Sequence, residues 1–324
     1  MTWELRVPET LHPGAVPARD VSIVIPCYNE AAAVGTVLRE LTAALPEAEV
    51  IAVDDGSTDA TREALEAVPG IRVLVHDRNR GYGAAIKTSC KAATRGHVVW
   101  YDADGQHTPD MVREVLRALG GAECVIGART QGSHASWTRR PGKWLLLRTA
   151  RLLSGAPIVD LNSGLRGFRR SVLARYLHLL PDGFSASTTT TILMFERGYR
   201  VRWVPITTPA RVGKSTVSIV RDGARVMMLI LRLVNLFQPL RFYLPVSLSL
   251  VFLGLFYGVT RAVVSGRGIP VAAMLTMVFG AQAFFFGLVA DQVSALRKER
   301  FETTSIDHAT ERGGAVTTAE PGAA

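Results

Sequence analysis

From Val21 to about Val125, short apolar runs alternate with segments of helical period. "VSIVIP", "EVIAVDD", "IRVLVH", "HVVWYDAD" and "ECVIGA" are continuous, β-branched-rich runs that predict buried strands. Between them, "AAAVGTVLRELTAAL", "ATREALEAV", "GAAIKTSCKAAT" and "PDMVREVLRAL" repeat their apolar positions every three to four residues and predict helices. Strand–helix alternation of this kind specifies a parallel sheet covered on both faces. Ligands then bind at the carboxyl ends of the strands. Those ends carry "PCYNE", "DDGSTD", "HDRNRGYG" and "DADGQH", so the polar chemistry gathers where such a fold places a site.

Beyond Gly127 the pattern loosens. "RTQGSHASWTRRPG" reads as a basic loop and "KWLLLRTARLLSG" as a helix. "GLRGFRRSVLARYLHLL" reads as a strand into a helix, and "TTTILMFERGYRVRWVPI" as a helix, a glycine stop and a strand. Over 220–241, Arg221, Arg225 and Arg232 share one face of an otherwise apolar helix, the pattern of an interfacial segment. Two uncharged apolar runs follow, 242–260 and 269–290, each near the roughly 20 residues a membrane span needs. In tandem they predict a transmembrane hairpin. Arginines and lysines crowd its two outer ends (Arg221 to Arg241; Arg297, Lys298, Arg300), while the connection has Arg261 and Arg267, which orients both ends to the cytoplasm. Residues 1–20 read as a flexible leader without a signal-peptide core, 21–219 as one α/β domain and 291–324 as a largely disordered cytoplasmic tail.

Composition sharpens this. The chain has 324 residues, 48% of them hydrophobic, and a formal net charge of +9. The cations concentrate towards the membrane end and form no nucleic-acid motif, which argues for lipid or phosphorylated partners rather than DNA or RNA. Cys27, Cys90 and Cys124 lack metal-ligand spacing and read as reduced thiols.

The run "VVWYDADGQHTPD" ends in Asp102 and Asp104, two like charges one residue apart that can face the same side. A divalent cation relieves their repulsion, and Mg²⁺ or Mn²⁺ is commonly shared with substrate phosphates. Gln106 offers a neutral oxygen nearby. His107 could add a ligand or simply hydrogen-bond within a turn. "RVGKSTVS" is not a phosphate-binding P-loop, because Thr208 stands where its first glycine is required. "GYGAAI" likewise lacks the third glycine of a dinucleotide fingerprint.

Taken in order, "VSIVIPCYNE", "VDDGSTD", "NRGYGAA", "DADGQH" and "GAR" resemble a family 2 glycosyltransferase with the GT-A fold. The glutamine of "DADGQH" and the hairpin narrow the resemblance to dolichyl- or polyprenyl-phosphate sugar (mannose or glucose) synthases, over about Val21 to Ala290. The resemblance implies a Rossmann-like, mostly parallel α/β domain followed by an amphipathic helix and a two-helix transmembrane hairpin. It implies a UDP- or GDP-linked sugar donor held by Pro26, Tyr28, Glu30, Asp54, Asp55, Asp77, Gly81, Lys87 and Asp102. It assigns Mg²⁺ or Mn²⁺ to Asp102, Asp104 and Gln106, a diphosphate contact to Arg129 and an acceptor-side acid to Asp160. Arg211, Lys214 and Ser215 match a basic segment that closes over phosphate; the same cations also suit a juxtamembrane patch on anionic lipid. Ser57 and Asp59 read as caps of the following helix. Arg139, Arg140 and Lys143 are candidates for the lipid phosphate's entry or for plain solvation. A homo-oligomer is compatible with all of this.

One departure is informative. Where many inverting family members carry an acidic pair that acts as base, this chain reads "PDGFSASTTTT". A lipid phosphate is already anionic at neutral pH and needs no base to attack a sugar carbon. The implied activity is therefore an inverting transfer of sugar to polyprenyl phosphate, supplying envelope glycans or glycoprotein glycosylation. A processive polysaccharide synthase is the main rival, but Tyr199 stands where its Gln-x-x-Arg-Trp motif needs glutamine. A nucleotidyltransferase would need a glycine- and arginine-rich loop in place of "PCYNEAAA", and a non-catalytic scaffold would be expected to lose the D-x-D.

Overall fold

The computed structural model of the protein describes residues 14–130, 147, 148, 151, 157–183, 185–209, 228, 239–266 and 268–314. The chain divides into two units, Met1–Ile230 and Leu231–Ala324. In the first, the predicted alternation is present: β1 (Val21–Cys27), α1 (Val34–Ala44), β2 (Glu49–Asp54), α2 (Thr61–Glu66), β3 (Arg72–Val75), α3 (Tyr82–Ala92), β4 (His97–Trp100), α4 (Pro109–Leu119) and β5 (Cys124–Arg129). Then come β6 (Arg166–Arg169), α5 (Arg170–Ala174), α6 (Ala186–Glu196) and β7 (Val201–Ile206).

The seven strands lie in the order β3-β2-β1-β4-β6-β5-β7. All neighbours run parallel except β6, which is antiparallel to both β4 and β5. Both faces of the sheet are covered, which is why β1 and β4 are buried almost throughout rather than on alternate residues. Ile23 and Ile25 of β1 share one core with Val34, Leu38 and Leu41 of α1 and with Val112, Val115, Leu116 and Leu119 of α4. The α4 positions recur at helical spacing, behind a Pro109 that fits the first turn.

The inverted β6 matters most for function. Because it runs against β4, its first residue, Arg166, pairs with Trp100 at the end of β4 and with Ile126 in β5. The segment leading into β6, from Asp160 to Leu165, is thereby delivered to the edge where Asp102 leaves β4 and Arg129 closes β5.

Two expected boundaries move. The leader is not wholly loose: Val16 is buried in the core and donates its N–H to the Leu116 carbonyl. The tail expected to be disordered from 291 is helical through Gly314, as part of α8 (Val271–Gly314). Residues 291–312 contain no proline or glycine and many good helix formers, so the helix stops only at Gly313-Gly314. The interfacial helix expected over 220–241 lies, apart from residues 228 and 239–241, outside the described residues.

In the second unit, α7 (Leu240–Ser265) packs against α8. Both carry 26-residue stretches apolar enough to cross a membrane, Leu240–Ser265 and Val271–Leu296, and only 17% of each apolar window is buried. A soluble protein's core helix would be mostly covered. Small residues line the contact: a Cβ on Gly254 would lie 2.7 Å from Met277, and one on Gly280 would lie 2.7 Å from Val251. The outward faces present Phe252, Phe256, Phe279 and Phe286.

Candidate active site

Two neighbouring regions form at the carboxyl ends of the strands. The first is a cavity of about 560 Å³ lined by Tyr28, Asp54, Gly56–Asp59, Arg62, Glu63 and Val75–Asn79. Its walls are three loops stitched together by side chains. Asn29, held at φ 54°, donates its N–H to Ser57 Oγ and accepts from the Thr58 N–H. The Glu30 N–H donates to Thr61 Oγ1, and the Ala31 N–H to Asp59. Asp54 accepts from the Ser57 N–H. Gly56 has φ 68°, and a Cβ there would sit 2.4 Å from the Arg78 backbone, so only glycine permits this closure.

Asp59 does serve the start of α2: its Oδ1 accepts from the N–H of Thr61, the first residue of the helix, at 3.1 Å, while its Oδ2 accepts from the Ala31 N–H of the β1–α1 loop. Ser57 does not cap the helix; its Oγ accepts from the Asn29 N–H of the neighbouring loop. Asp59 is held below its usual carboxylate range: the upward push of burial is outweighed by the hydrogen bonds from Thr61 and Ala31.

Several residues expected at the donor site are also bonded into the scaffold. Asp55 accepts from His76 Nδ1 at 2.6 Å and from the N–H groups of Arg80 (3.0 Å) and Gly81 (2.7 Å). Its carboxylate therefore shapes the β3–α3 loop from within. Lys87 donates to the Leu180 carbonyl and pairs with Asp182. Gly81 and Gly83 make room for the same segment: a Cβ would fall 2.5 Å from the Asp182 carbonyl oxygen and 2.0 Å from that of Pro181, respectively. Pro26 lies within β1 opposite Val53, away from the cavity wall. Gly83→Ala is expected to destabilise the domain by about 1–3 kcal/mol through overpacking, read as a lower denaturant midpoint at unchanged slope.

The second region surrounds Asp102. Its Oδ1 accepts from Tyr82 Oη at 3.1 Å, and its Oδ2 faces His107 Nε2 at 3.7 Å. Gly164 presses on it so closely that a Cβ would fall 1.7 Å from Oδ2. Burial pushes the Asp102 carboxyl up, but His107, Tyr82 and Arg129 together hold it below its ordinary value. Burial and the Asp102 charge keep the Tyr82 phenol protonated, well above its usual range. Asp104 is buried, and its Oδ1 accepts from the Gln106 N–H across a turn in which Gly105 has φ 73°. Gln106 Nε2 reaches the Pro209 carbonyl at 3.3 Å.

Arg129 binds Asp160 with two parallel bonds, Nε to Oδ2 at 2.8 Å and Nη2 to Oδ1 at 3.0 Å. Burial alone would lower the guanidinium's pKa; Asp160, with Asp102 and Asp104 nearby, raises it. The loop carrying Asp160 wraps a fully buried Arg166. Arg166 donates to the carbonyls of Ser163 and Leu161 and to the hydroxyls of Thr190 and Thr191 on α6. Thr188 donates to Asn162 from the same helix. The tetrad "TTTT" is thus buried on all sides, and Thr188, Thr190 and Thr191 bind the loop that sets Asp160 beneath Arg129 and Gly164 against Asp102.

Similarity to known proteins agrees with this geometry. Residues 22–177 match the domain described as glycosyl transferase family 2, and residues 238–296 match the GtrB C-terminal hairpin. The undecaprenyl-phosphate mannosyltransferase of Micrococcus luteus is 30% identical over 227 residues, 63% of this chain and 93% of that protein. The chain belongs to glycosyl transferase family 2. Glycosyltransferase AglJ of Haloferax volcanii is 28% identical over 296 residues, covering 87% of this chain and 96% of that one. Among solved structures, glucosyl-3-phosphoglycerate synthase from Mycobacterium tuberculosis, in complex with Mn²⁺, UDP-glucose and phosphoglyceric acid, superposes with a TM-score of 0.56. At 22% identity over 68% of this chain and 80% of that one, it establishes the GT-A fold. The hairpin match and the exposed apolar helices make this glycosyltransferase membrane-associated.

The residues of this family 2 enzyme can be tested against a divalent cation. Among the described residues no three His, Cys, Asp or Glu side chains form a complete metal-binding set. The carboxylates of Asp102 and Asp104 and the side-chain oxygen of Gln106 are hard oxygen donors, and such a partial set would suit Mg²⁺ or Mn²⁺ completed by phosphate and water. Asp102, Asp104 and Asp160 against Arg129 and Arg166 leave the region net anionic, which favours a cation arriving with a diphosphate. Arg211, Lys214, Ser215, Arg139, Arg140 and Lys143 lie outside the described residues. Tyr82, Gly164 and Arg166 went unassigned in the sequence. The glycines and arginine of "LNSGLRGF" were its one visible trace, since a glycine pressed on a carboxylate looks like any loop glycine.

Proposed function

We propose that this family 2 enzyme transfers one sugar from a nucleotide-diphosphate sugar to a polyprenyl phosphate, with inversion at the sugar carbon. The observation that carries the acceptor class is the handling of carboxylates around the sugar site. Asp160 is engaged by Arg129, and residues 185–191 contain no acid. A hydroxyl acceptor would need a base there; a phosphate oxygen attacks unaided. That oxygen bonds to the sugar carbon as the bond to the nucleoside diphosphate breaks, and the electron pair leaves with the diphosphate. The names of the relatives support the acceptor: the Micrococcus luteus protein, and the undecaprenyl-phosphate 4-deoxy-4-formamido-L-arabinose transferase of Pseudomonas aeruginosa, 32% identical over 187 residues and 55% of that protein.

In this reading Tyr28, Asp54 and Asp77 hold the nucleoside in the cavity, with Glu30 at its edge. Asp104, with Asp102 and Gln106, holds Mg²⁺ or Mn²⁺, which when bound neutralises charge on the departing diphosphate. Arg129 stabilises the same charge, and Asp160 keeps its guanidinium in place. Tyr82, Gly164 and Arg166 position Asp102 and Asp160. Arg211, Lys214 and Ser215 supply phosphate contacts. The hairpin spans the membrane with both ends, and the catalytic domain, on the cytoplasmic side.

The test uses membranes containing the protein, undecaprenyl phosphate, Mg²⁺ or Mn²⁺ and a panel of labelled UDP- and GDP-sugars. Label entering the organic phase from one donor, and lost with chelator, is the expected result. Label in a water-soluble polymer would replace this reading with a processive synthase.

A further inference from the structure

Asp55 and His76 form a buried pair just beyond the ends of β2 and β3, with side chains 3% and 4% exposed. An ionised carboxylate only accepts, so the ring nitrogen Nδ1 carries the proton between them at 2.6 Å. The other nitrogen, Nε2, meets Thr88 Oγ1 of α3 at 2.9 Å. Both ring nitrogens are thus engaged, and the ring is held between a strand end and a helix.

The bonds around Asp55 show what the ring holds in place. Its Oδ1 accepts from His76 Nδ1 and from the Arg80 N–H at 3.0 Å, and its Oδ2 accepts from the Gly81 N–H at 2.7 Å. The chain therefore leaves this carboxylate at His76 and returns to it at Arg80. Between lie Asp77, Arg78 and Asn79, all exposed and all in the wall of the cavity. They form a bow with both ends tied to one carboxylate. Gly56 fixes it from beneath, since no Cβ fits between Gly56 and the Arg78 backbone.

Releasing the first end leaves the rest of the site standing. Arg80 and Gly81 keep their bonds to Asp55, so α3 starts as before and Tyr82 stays on Asp102. The backbone N–H of residue 76 keeps its bond to the Asp54 carbonyl, so β3 stays paired with β2. Only the side-chain tie at the head of the bow is lost. A wall already in shape spares the ordering that binding would otherwise require.

We propose that His76 is a positioning residue for the sugar donor: its bonds to Asp55 and Thr88 hold the 77–79 bow in the shape that receives the nucleoside. It acts on donor affinity and leaves the reacting atoms to other groups. The inference rests on the reading of this cavity as the nucleoside site, and not on which acceptor follows.

The test uses substitutions that keep one ring nitrogen's bond at a time. Asparagine places an amide N–H near the Nδ1 position, and glutamine places one near Nε2. Full-length protein in detergent, with Mn²⁺, is titrated with UDP and with GDP, and label transfer to lipid gives donor KM and kcat. His76→Ala and His76→Gln are expected to weaken nucleotide binding and raise donor KM by about tenfold, the scale of one hydrogen bond to a charged group, with kcat within about threefold of wild type. His76→Asn is expected to restore most of the loss. Thr88→Val, which frees Nε2 and leaves the Asp55 bond, should fall between. Melting curves run in parallel separate positioning from general stability, and if His76→Ala does not fold, the asparagine–glutamine comparison carries the test. Wild-type affinity in His76→Gln, or equal losses in the asparagine and glutamine variants, would overturn the proposal. So would a fall in kcat at unchanged donor KM. If the wild-type protein binds neither nucleotide, the nucleoside reading of the cavity falls, and the role of His76 with it.

Discussion

Asp104→Ala and Asp104→Asn are each expected to lower sugar transfer by about 10²–10³-fold, the scale of one lost electrostatic contact in a water-poor site. Asn keeps an acceptor for the Gln106 N–H, so the turn at Gly105 survives and the loss isolates the charge. The hairpin is a separate unit, so membrane integration should be unchanged. The readout is the initial rate of label transfer to the organic phase, with a melting curve run in parallel. Rates within threefold of wild type in the asparagine variant would remove Asp104 from the metal-binding role.

The second large effect is on stability. Arg129→Ala removes the bidentate partner of Asp160, whose side chain is 3% exposed, leaving it the Asn162 N–H. Removing one member of a buried pair typically destabilises by about 3–5 kcal/mol. For a domain of this size that lowers Tm by roughly 10 °C, at about 2–4 °C per kcal/mol. Asp160→Asn should be milder, because the Arg129 side chain is 30% exposed and can turn to water. The double variant Arg129→Ala/Asp160→Asn should therefore melt above Arg129→Ala alone, a coupling that independent sites would not show. Equal melting of wild type and Arg129→Ala would mean the pair contributes nothing to the fold.

These two predictions sit differently with respect to the sequence. Asp104 was legible: a buried strand ending in alternate acids is a local pattern, and local patterns survive without a fold. The Arg129–Asp160 pair was not. Each residue was a candidate on its own, but the bond between them spans 31 positions and exists because β6 is inverted between β4 and β5. The bonds that tie Asp55, Gly81 and Lys87 into the fold were hidden for the same reason. An acid, a glycine and a lysine at strand ends fit phosphate chemistry equally well, and only the approach of the Pro181–Gly183 segment shows what occupies that space.

The sequence by itself determined the alternation of strands and helices, the metal-compatible acids, the absence of an acidic pair in "PDGFSASTTTT" and the two membrane-length helices. Each depends on periodicity, run length or residue chemistry within a few positions. Tertiary structure alone decided which polar groups serve the site and which hold it. It buried Arg166 among the threonines of α6 and pressed Gly164 onto Asp102. Those outcomes depend on the direction of one strand, set by packing between segments far apart in the chain.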